Sequence, residues 1–596
     1  MKISPINNFR NPRNQVSFGE ARVNILAMGD SHGQIESLPA AFDAIKYKKA
    51  EIFEAPKEKT ADIPQMPKNY LNLFTHAGDY FINPAKKGFI GDPNATAASN
   101  QVKLLNSFLT ELKKDAPDLE GYYTLGNHCL DDGDELAVKE LSKADVTTLL
   151  TNVNLKNSKS ITDLSEKDQE KFKEQAILEI PDDKNPNLKH KVLMLGMTTP
   201  SVDFYVPNQV KGLDIIDRNA KKDVQLTEKD FTKSYEKLNK TIGDFKKDNP
   251  KGAVVLLSHN GNAVADMIVK NVSGIDVIIN GHDHKKENHI ATNPSTGHQT
   301  LVASMYQNNR KFSSIKLHFD DDGNLDTIKN KDFYTEDVEK EKKAQAATNP
   351  IEAGKKEVNP IQEKLNALLG EDFKPSVFLS GPTNVESLST DGIRNSSNLL
   401  ANFTSDVVKE QYNKKHGGDA DIVGLQTASI RQNLPVNGWT SNIKLLNLFC
   451  GRTVALGALQ KGELKGAEIT KFVIENYGDN MKNRNRNPLV QYSGMKVNKG
   501  QFDNLLMSGN ATMKDYADCL EVKDKEGKYQ KLDLEKTYKV ALPEELFVVP
   551  NVKTLMNMKD KFQPTGYNAD DLFMEYVKDN DYKISMDKSA DVRVVE

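Results

Sequence analysis

The sequence predicts an α/β protein with two domains, and three observations support this fold class. With 596 residues, the chain is longer than one hydrophobic core normally organises. Short apolar runs alternate with helical stretches such as 101–114 and 231–247, which is typical of layered α/β domains. A stretch rich in Lys, Glu and Ala at 336–359 indicates a partly helical linker, and the second half is again predicted to be α/β or α+β.

These patterns predict the boundaries of the domains. The expected order is a disordered N-terminal lead at 1–20, a first domain at 21–335, a charged helical linker at 336–362 and a second domain at 363–596. Two polar insertions, 48–68 and 152–191, are expected to be surface excursions of the first domain near the mouth of its site.

Polar clusters follow five apolar runs that are predicted to be buried strands. The runs are 23–28, 70–75, 122–125, 254–257 and 277–279. The clusters are Gly-Asp30-Ser-His32-Gly, His76-Ala-Gly-Asp79, Gly126-Asn127-His128, Ser258-His259-Asn260 and Gly281-His282-Asp283-His284. Because ligands bind beyond the carboxyl ends of strands in α/β sheets, the five clusters are expected to converge on one site.

The residue types in these clusters predict two divalent metal ions. Carboxylate and amide oxygens with imidazole nitrogens suit Zn, Mn, Fe or Co, and the lack of thiolates argues against a closed structural zinc site. Two ions about 3.5–4 Å apart need a bridging ligand, for which Asp79 is the candidate. The expected shells are Asp30, His32 and His284 for one ion and Asn127, His259 and His282 for the other. Water bound to such ions has a pKa of roughly 7, which provides a hydroxide able to attack phosphorus.

At this point the motifs resemble the calcineurin-like metallophosphoesterase superfamily. More narrowly they resemble its two-domain 5′-nucleotidase family, which includes bacterial periplasmic UDP-sugar hydrolases and animal ecto-5′-nucleotidases. The resemblance covers about 22–320 closely and about 375–570 weakly. It implies a four-layer αββα metallophosphoesterase domain and a C-terminal substrate-binding domain, joined by a helical linker.

The resemblance also implies a catalytic pair. The family motif Gly-Asn-His-Glu-Phe-Asp is Gly-Asn-His-Cys-Leu-Asp at 126–131 in this chain. By this match, His128 stabilises the transition state or protonates the leaving oxygen, and Asp131 orients its imidazole and favours the charged form. Cys129 replaces the family's Glu and is expected to be a non-catalytic neighbour, and His76 is expected to belong to the core.

In the second half, the resemblance implies residues that bind a nucleotide. Arg394 and Arg431 match family arginines, which grip phosphate or carboxylate, while Phe449 and Phe547 are candidates to sandwich a planar base. The family's Asn-Gly-Gly-Gly-Ile-Arg reads Gln-Thr-Ala-Ser-Ile-Arg at 426–431, so every glycine of that loop is replaced. Side chains at these positions are expected to narrow or reshape the base pocket.

Composition excludes several classes of partner and leaves the oligomeric state unpredicted. A net charge of −4 does not indicate the basic surface that binds polymeric nucleic acid. No apolar run approaches the roughly 20 residues that a membrane span needs. Without an apolar segment near Met1, and with three scattered cysteines, the sequence favours a cytoplasmic location. The alternative is export by a non-conventional route, since most of the family is extracytoplasmic.

The resulting hypothesis is a metal-dependent phosphohydrolase in which the first domain hydrolyses and the second selects a nucleotide. One alternative is the same chemistry on a non-nucleotide phosphate ester or a cyclic phosphodiester, because the catalytic motifs are intact whereas the base loop has changed. A second alternative is a nucleotide-binding or adhesion module without activity. The complete set of predicted ligands argues against the second alternative.

Overall fold

The computed structural model describes most of the first half of the chain and several parts of the second. The described residues are 2–3, 21–34, 37–53, 69–81, 96–182, 189–206, 208–221, 225–320, 322–348, 359–369, 375–380, 387–388, 399–427, 430, 434–435, 438–441, 458–482, 490–547, 552–581, 583–585 and 594–595. The chain divides into two compact units, the first reaching Leu368 and the second running from Leu369 to Glu596.

Strands and helices alternate through the first unit. Its strands are β1 (Lys2–Ile3), β2 (Ala21–Met28), β3 (Tyr70–His76), β4 (Glu120–Tyr123), β5 (Thr147–Leu149), β6 (Phe172–Lys173), β7 (Gln175–Pro181), β8 (Lys189–Met197), β9 (Ala253–Ser258), β10 (Val277–Asn280), β11 (His289–Thr292), β12 (Gln299–Ser304), β13 (Lys311–Phe319) and β14 (Leu325–Tyr334). Its helices are α1 (Leu38–Tyr47), α2 (Lys49–Ile52), α3 (Ala97–Leu112), α4 (Asp134–Leu141), α5 (Lys159–Thr162), α6 (Glu166–Gln169), α7 (Val202–Tyr205), α8 (Thr232–Asp248), α9 (Gly261–Asn271), α10 (Thr335–Thr348) and α11 (Pro360–Leu369), which ends at the boundary between the units.

Two sheets form the centre of this unit. One has the order β1-β14-β13-β2-β3-β4-β5-β6 and the other β11-β12-β10-β9-β8-β7. In the first sheet β2 to β6 are parallel, and in the second β8, β9, β10 and β12 are parallel. Strands buried on both faces read as continuous apolar runs, as in Ala253–Ser258, where all six residues are buried.

Helices cover the outer faces of the two sheets. Between the sheets lies an apolar core that includes Ile25, Leu73 and Val255. A second core joins the other face of the second sheet to helices α8 and α9. On the first sheet, Phe74 packs against Phe108 of α3 with ring centroids 5.9 Å apart. The layers therefore run helix, sheet, sheet, helix, which confirms the predicted αββα domain.

Two segments of this unit differ from the predictions. Within the predicted disordered lead, the backbone of Lys2–Ile3 pairs antiparallel with β14, because a sheet edge offers unpaired backbone groups; 4–20 lie outside the described residues. The predicted insertion 152–191 supplies β6, β7 and the start of β8, which are sheet strands rather than surface excursions. In edge strand β7, Gln175, Ile177 and Glu179 are exposed, whereas Leu178 and Ile180 are buried. Residues 54–68 of the other insertion lie outside the described part.

The described parts of the segment predicted as a linker, 336–348 and 359–362, belong to the first unit. Helix α10 packs against α1, where Lys48 Nζ lies 2.7 Å from a carboxylate oxygen of Glu341. Val338 is buried, and Asn359 Nδ2 donates to the backbone oxygen of Pro39 at 2.8 Å. The charged composition correctly indicates a helix, but it does not reveal the few contacts that attach this helix to the first unit.

The second unit is also α/β, as predicted. Its strands are β15 (Pro375–Ser380), β16 (Ser387–Leu388), β17 (Ile422–Gln426), β18 (Leu434–Pro435), β19 (Gly438–Ser441), β20 (Ala458–Lys465), β21 (Val490–Ser493), β22 (Met495–Asn498), β23 (Leu520–Lys523), β24 (Tyr529–Lys531), β25 (Thr537–Pro543), β26 (Gln563–Asn568), β27 (Lys583–Ser585) and β28 (Val594–Val595). Its helices are α12 (Leu399–Lys415), α13 (Gly466–Lys482), α14 (Lys499–Ser508), α15 (Met513–Ala517), α16 (Lys553–Met556) and α17 (Ala569–Asp579).

The largest sheet of the second unit has the order β21-β17-β25-β20-β26. Helices α12 and α17 pack together over one core, where Phe403 and Phe573 are in edge contact at 5.7 Å. A separate core contains apolar residues of α13, including Phe472 and Tyr477. Across the described ranges of both units, no helix is long and apolar enough to cross a bilayer.

Candidate metal centre

The carboxyl ends of five strands lie together at one edge of the first unit. Strands β2, β3 and β4 of the first sheet end before Asp30, Asp79 and Asn127, and strands β9 and β10 of the second end before His259 and His282. The imidazole Nδ1 of His259 lies 2.7 Å from the backbone oxygen of Ala77, which links the two sheets at this edge. The polar clusters therefore converge as the parallel-strand rule predicts.

The turns that carry these side chains have an unusual backbone. Asp30, His32, Asp79, His282 and His284 all have positive φ angles, between 49° and 88°. Such left-handed conformations are uncommon outside glycine and concentrate at functional sites. Five of the seven predicted metal ligands share this feature, so tight turns after the strands direct their side chains into the site.

Asp30, His32 and His284 form the first predicted ligand group. One ligand atom from each lies within 4.8 Å of the others. Nε2 of His284 is 3.7 Å from a carboxylate oxygen of Asp30, and the rings of His32 and His284 meet edge to face at 4.7 Å. The two carboxylate oxygens of Asp30 also accept from the backbone N–H of His282, at 3.0 and 3.2 Å, which joins this group to the second.

Asp79 lies between the two predicted groups. Its Oδ2 is 3.0 Å from Nε2 of His259 and 3.5 Å from Nε2 of His32, which belong to different predicted shells. Its Oδ1 accepts from the backbone N–H of His128 at 2.8 Å, which fixes the carboxylate plane. This arrangement is the one expected of a carboxylate that bridges two ions.

The second predicted group is completed by Asn127 and His282. Oδ1 of Asn127 lies 2.9 Å from Nδ1 of His282, although the two residues are 155 positions apart. The ring of His282 meets that of His259 edge to face at 5.2 Å. All seven predicted ligands are therefore in one connected cluster, and their role as ligands remains a prediction.

Two glycines leave room for the carboxylate of Asp79 and the imidazole of His259. A Cβ on Gly126 would lie 2.1 Å from Oδ1 of Asp79, and a Cβ on Gly78 would lie 2.4 Å from Nδ1 of His259. Gly78 also has a φ of +83°. At both positions a side chain would displace a predicted ligand, so the glycines of the motifs are explained by close packing.

Gly126→Ala is expected to damage the site more than the fold. The added methyl group must push Asp79 aside, and such overpacking costs about 1–3 kcal/mol of the free energy of unfolding. We expect the variant to melt at a lower temperature and to bind less metal, measured by thermal unfolding and by elemental analysis after metal loading. Gly243→Ala, where a Cβ meets nothing within 4 Å, is the control. Wild-type metal content in the Gly126 variant would contradict this account.

Burial and mutual charge shift the pKa values of three groups in this cluster. Burial raises the pKa of Asp30 to about 6, although His259 and His32 oppose that shift. Burial alone would lower the pKa of His259, but the charges of Asp79 and Asp30 raise it to about 9. Burial also opposes ionisation of Asp79, yet His259 and His128 hold its pKa well below its usual range. A proton on His259 therefore compensates carboxylate charge, and a bound divalent cation would replace that proton.

The buried ligand atoms of this cluster fit divalent metal ions. Nε2 of His32 and Nε2 of His259 are buried and face Oδ2 of Asp79 at 3.5 and 3.0 Å, but neither contact within the described residues has full hydrogen-bond geometry. Because buried polar atoms are normally well satisfied, two such imidazole nitrogens beside one buried carboxylate fit a bound cation. Imidazole nitrogens together with carboxylate and amide oxygens suit Zn, Mn, Fe or Co.

His128 and Asp131 are paired beside this cluster. Nδ1 of His128 lies 3.0 Å from one carboxylate oxygen of Asp131 and 3.2 Å from the other, within a short 3₁₀ turn, His128–Leu130. Asp131 is fully buried, and the His128 ring is 5.3 Å from that of His32. The pair has the geometry of an acid oriented by a carboxylate, and its catalytic role remains a prediction.

His76 and Cys129 are core residues in this structure. Burial lowers the pKa of His76 to about 3, its ring stacks on Tyr123, and its Nε2 lies 2.8 Å from Oγ of Ser31. Burial raises the pKa of the Cys129 thiol to about 12, and its Sγ lies 2.8 Å from the Tyr123 hydroxyl. A neutral buried thiol is a poor nucleophile, which supports the expectation that Cys129 is non-catalytic.

Two further residues of the site have roles that sequence patterns did not indicate. The Tyr205 hydroxyl lies 3.2 Å from Nε2 of His282, and no motif marks this tyrosine. Asp283, between two predicted ligands, accepts from the backbone N–H of Asn262 at 2.6 Å and so caps the N-terminus of α9. The sequence includes Asp283 in its motif but carries no signal for this contact.

The substrate residues predicted for the second unit are only partly described. Arg394, Arg431 and Phe449 lie outside the described residues. Phe547 is buried and contacts Phe562 edge to face at 4.6 Å, so it packs in a core as well as lining a cavity of about 600 Å³. Tyr567 lines the same cavity.

Comparison with known proteins agrees with this architecture. Residues 23–286 match the family model of the calcineurin-like phosphoesterases. The whole fold is similar to a 5′-nucleotidase precursor from Thermus thermophilus, with a TM-score of 0.58, 17% identity and coverage of 94% of this chain and 97% of that one. It is also similar to a putative 5′-nucleotidase from Staphylococcus aureus, with a TM-score of 0.56, 13% identity and coverage of 97% and 99%.

A third similar structure has a different named activity. This is the sulfate thiohydrolase SoxB from Thermus thermophilus, with a TM-score of 0.55, 14% identity and coverage of 98% of both chains. Comparison with curated protein sequences gives no significant match. At these identities the likeness is one of fold, and it confirms the predicted two-domain architecture without assigning a substrate.

Proposed function

We propose that this chain, whose residues 23–286 form a calcineurin-like phosphoesterase domain, is a metal-dependent phosphohydrolase that acts on nucleotide phosphate esters. The observation that carries this proposal is the position of the Asp79 carboxylate between the buried Nε2 atoms of His32 and His259, at 3.5 and 3.0 Å. The other predicted ligands surround that contact, and the His128–Asp131 pair adjoins it. Such a set combines the ligands of two ions with a candidate proton donor.

Asp30, His32 and His284 would hold one ion, and Asn127, His259 and His282 the other, with Asp79 shared. When bound, two divalent ions polarise a phosphoryl group and lower the pKa of water to about 7. The buried carboxylates contact the imidazoles around this position, and positive-φ turns set the backbone of five of the seven predicted ligands. The residues themselves therefore supply a preorganised cradle for a phosphate ester.

His128 would donate a proton to the leaving group. Asp131 accepts from Nδ1–H and favours the charged imidazolium, which leaves the second proton on Nε2. From Nε2 the proton passes to the ester oxygen as the bond to phosphorus breaks, so the alcohol leaves in neutral form. A positioned acid of this kind is usually worth about 10²–10⁴-fold in rate.

The nucleotide part of the proposal rests on the second unit. Its similarity in fold to 5′-nucleotidases supports a role in substrate selection, as does the cavity lined by Phe547, Phe562 and Tyr567. At about 600 Å³ the cavity has the size of a small-molecule site. The replaced glycines at 427–429 favour a second candidate, the same chemistry on another phosphate ester, because they alter the loop nearest the expected base.

A metal-supplemented substrate screen tests the proposed function. Purified protein, loaded in turn with Mn²⁺, Zn²⁺ and Co²⁺, is assayed for phosphate release from AMP, UDP-glucose, 2′,3′-cyclic AMP, sugar phosphates and p-nitrophenyl phosphate. Preference for a nucleotide supports the first candidate, and preference for a sugar phosphate or cyclic diester supports the second. Metal-loaded protein that hydrolyses none of them would leave a binding module without activity as the better account.

The second unit is expected to affect nucleotides and not small aryl phosphates. Arg431→Ala or Phe449→Ala should lower kcat/KM for the best nucleotide by at least about tenfold, or roughly 1.4 kcal/mol, since contacts to the remote part of a substrate help to position its phosphate. Activity on p-nitrophenyl phosphate, measured in the same preparations, should change little. Equal losses on both substrates would indicate misfolding, and no loss on either would contradict substrate selection by these residues.

A further inference from the structure

Tyr205 lies directly against one of the predicted metal ligands. Its hydroxyl is 3.2 Å from Nε2 of His282, and the two rings meet edge to face with centroids 4.9 Å apart. The other nitrogen of the same imidazole, Nδ1, faces Oδ1 of Asn127 at 2.9 Å. His282 is therefore held between a tyrosine on one side and a predicted fellow ligand on the other.

A folded element holds Tyr205 in this position. The tyrosine ends the short helix α7, and both the first residue of this helix, Val202, and the residue after it, Val206, are fully buried. Asp203 of the same helix accepts a forked ion pair from Arg218, with Nε at 2.9 Å and Nη2 at 2.6 Å. Because apolar burial and a bidentate pair both anchor α7, the hydroxyl has a defined direction toward His282.

We propose that Tyr205 is a positioning residue of the metal centre, which accepts the Nε2–H of His282 and so presents Nδ1 to the ion beside Asn127. This inference rests on the proposed function. A neutral imidazole carries its proton on one nitrogen and binds a metal through the other, so a partner for one nitrogen decides the role of the other. A hydroxyl can accept or donate, so when Nδ1 binds an ion and the imidazole proton lies on Nε2, the Tyr205 hydroxyl is placed to accept that proton.

The contact with Tyr205 concerns one of the two predicted ions. His282 belongs to the group with Asn127 and His259, and the Nδ1 of His259 is already oriented by a backbone oxygen, that of Ala77. In this group the orientation of His282 depends on a side chain, which a substitution can remove. Loss of the hydroxyl should thus lower the affinity for the ion beside Asn127. The affinity for the ion held by Asp30, His32 and His284 should not change.

Tyr205→Phe tests this role with metal binding as the main readout. Metal-stripped wild-type and variant proteins are titrated with Mn²⁺, followed by calorimetry and by the electron paramagnetic resonance of free Mn²⁺. We expect two binding steps in the wild type, and in the variant a loss of about 10–100-fold in the affinity of one step, the usual effect of removing such a partner. The affinity of the other step should stay close to that of the wild type. At saturating Mn²⁺ the variant should recover most of the wild-type kcat.

The control is Tyr47→Phe, which removes a tyrosine hydroxyl that contacts Glu341 at 3.2 Å, away from the metal centre. Both Mn²⁺ steps of this control should match the wild type. Unchanged affinities in Tyr205→Phe, or an equal loss in both steps, would overturn the positioning role while leaving the proposed function in place. A wild-type protein that binds no divalent ion would overturn both.

Discussion

Asp79→Asn is expected to abolish turnover and to weaken the binding of both metal ions. Asp79 Oδ2 lies within 3.5 Å of imidazoles from both predicted shells, so its charge is shared by the two sites. The amide that replaces it cannot supply the negative charge that brings two dications to within about 4 Å of each other. Because Asn has nearly the same shape and tolerates the left-handed backbone at this position, the fold should be retained.

The measurement is phosphate release at saturating Mn²⁺, with bound metal determined by mass spectrometry. Asp276→Asn is the matched control, since Asp276 is a buried carboxylate at the opposite end of β10, where it accepts from the backbone N–H of Val254 at 2.8 Å. The control should retain both ions and full activity. Near wild-type turnover by the Asp79 variant would show that the metal assignment is incorrect.

His128→Ala should separate catalysis from metal binding. Removal of the proton donor is expected to lower kcat by about 10²–10⁴-fold, whereas the metal content should remain nearly that of the wild type. The ring of His128 is engaged with Asp131, and the contact of this residue with Asp79 is made by its backbone N–H, which alanine keeps. The loss should be smaller for p-nitrophenyl phosphate, whose good leaving group needs less protonation.

The comparison for this variant is His298→Ala. His298 also faces a carboxylate, with Nε2 3.3 Å from Asp276 Oδ1, but it lies at the far end of the second sheet. Its removal should leave kcat unchanged. If His128→Ala lost metal in proportion to activity, His128 would be a ligand, and the assignment of an acid and its orienting carboxylate would have to be abandoned.

The convergence of the seven predicted ligands can be inferred from the sequence because the information needed is local, while their role as ligands stays a prediction. Each ligand motif stands immediately after a buried strand, and the rule that parallel strands share one functional edge converts separate motifs into one site. The contact of Tyr205 with His282 could not be predicted, because the two residues are 77 positions apart and Tyr205 belongs to no recognisable motif. Likewise, the attachment of α10 depends on a few contacts such as Lys48 with Glu341, which composition does not encode.

Strands at the edges of the sheets are also difficult to predict from the sequence. A buried central strand such as β9 is recognisable as an apolar run. Strand β7 alternates exposed and buried side chains and lies within a polar stretch, which predicts an insertion instead of a strand. In the second unit, Phe547 illustrates a related difficulty. An aromatic residue near a predicted pocket is also a good core residue, and the structure has it contacting Phe562 while lining the cavity.

The left-handed turns of the metal centre also constrain how this scaffold evolves. Asp and Asn adopt positive φ more readily than other residues with side chains, so Asp→Asn at position 30 or 79 alters chemistry at little conformational cost. The codons of the two residues differ by a single nucleotide. An inactive descendant that keeps this architecture and only binds its ligand is therefore one mutational step away, whereas β-branched replacements at these turns would be removed by selection on folding. In a set of relatives, positions 30 and 79 would distinguish enzymes from such descendants.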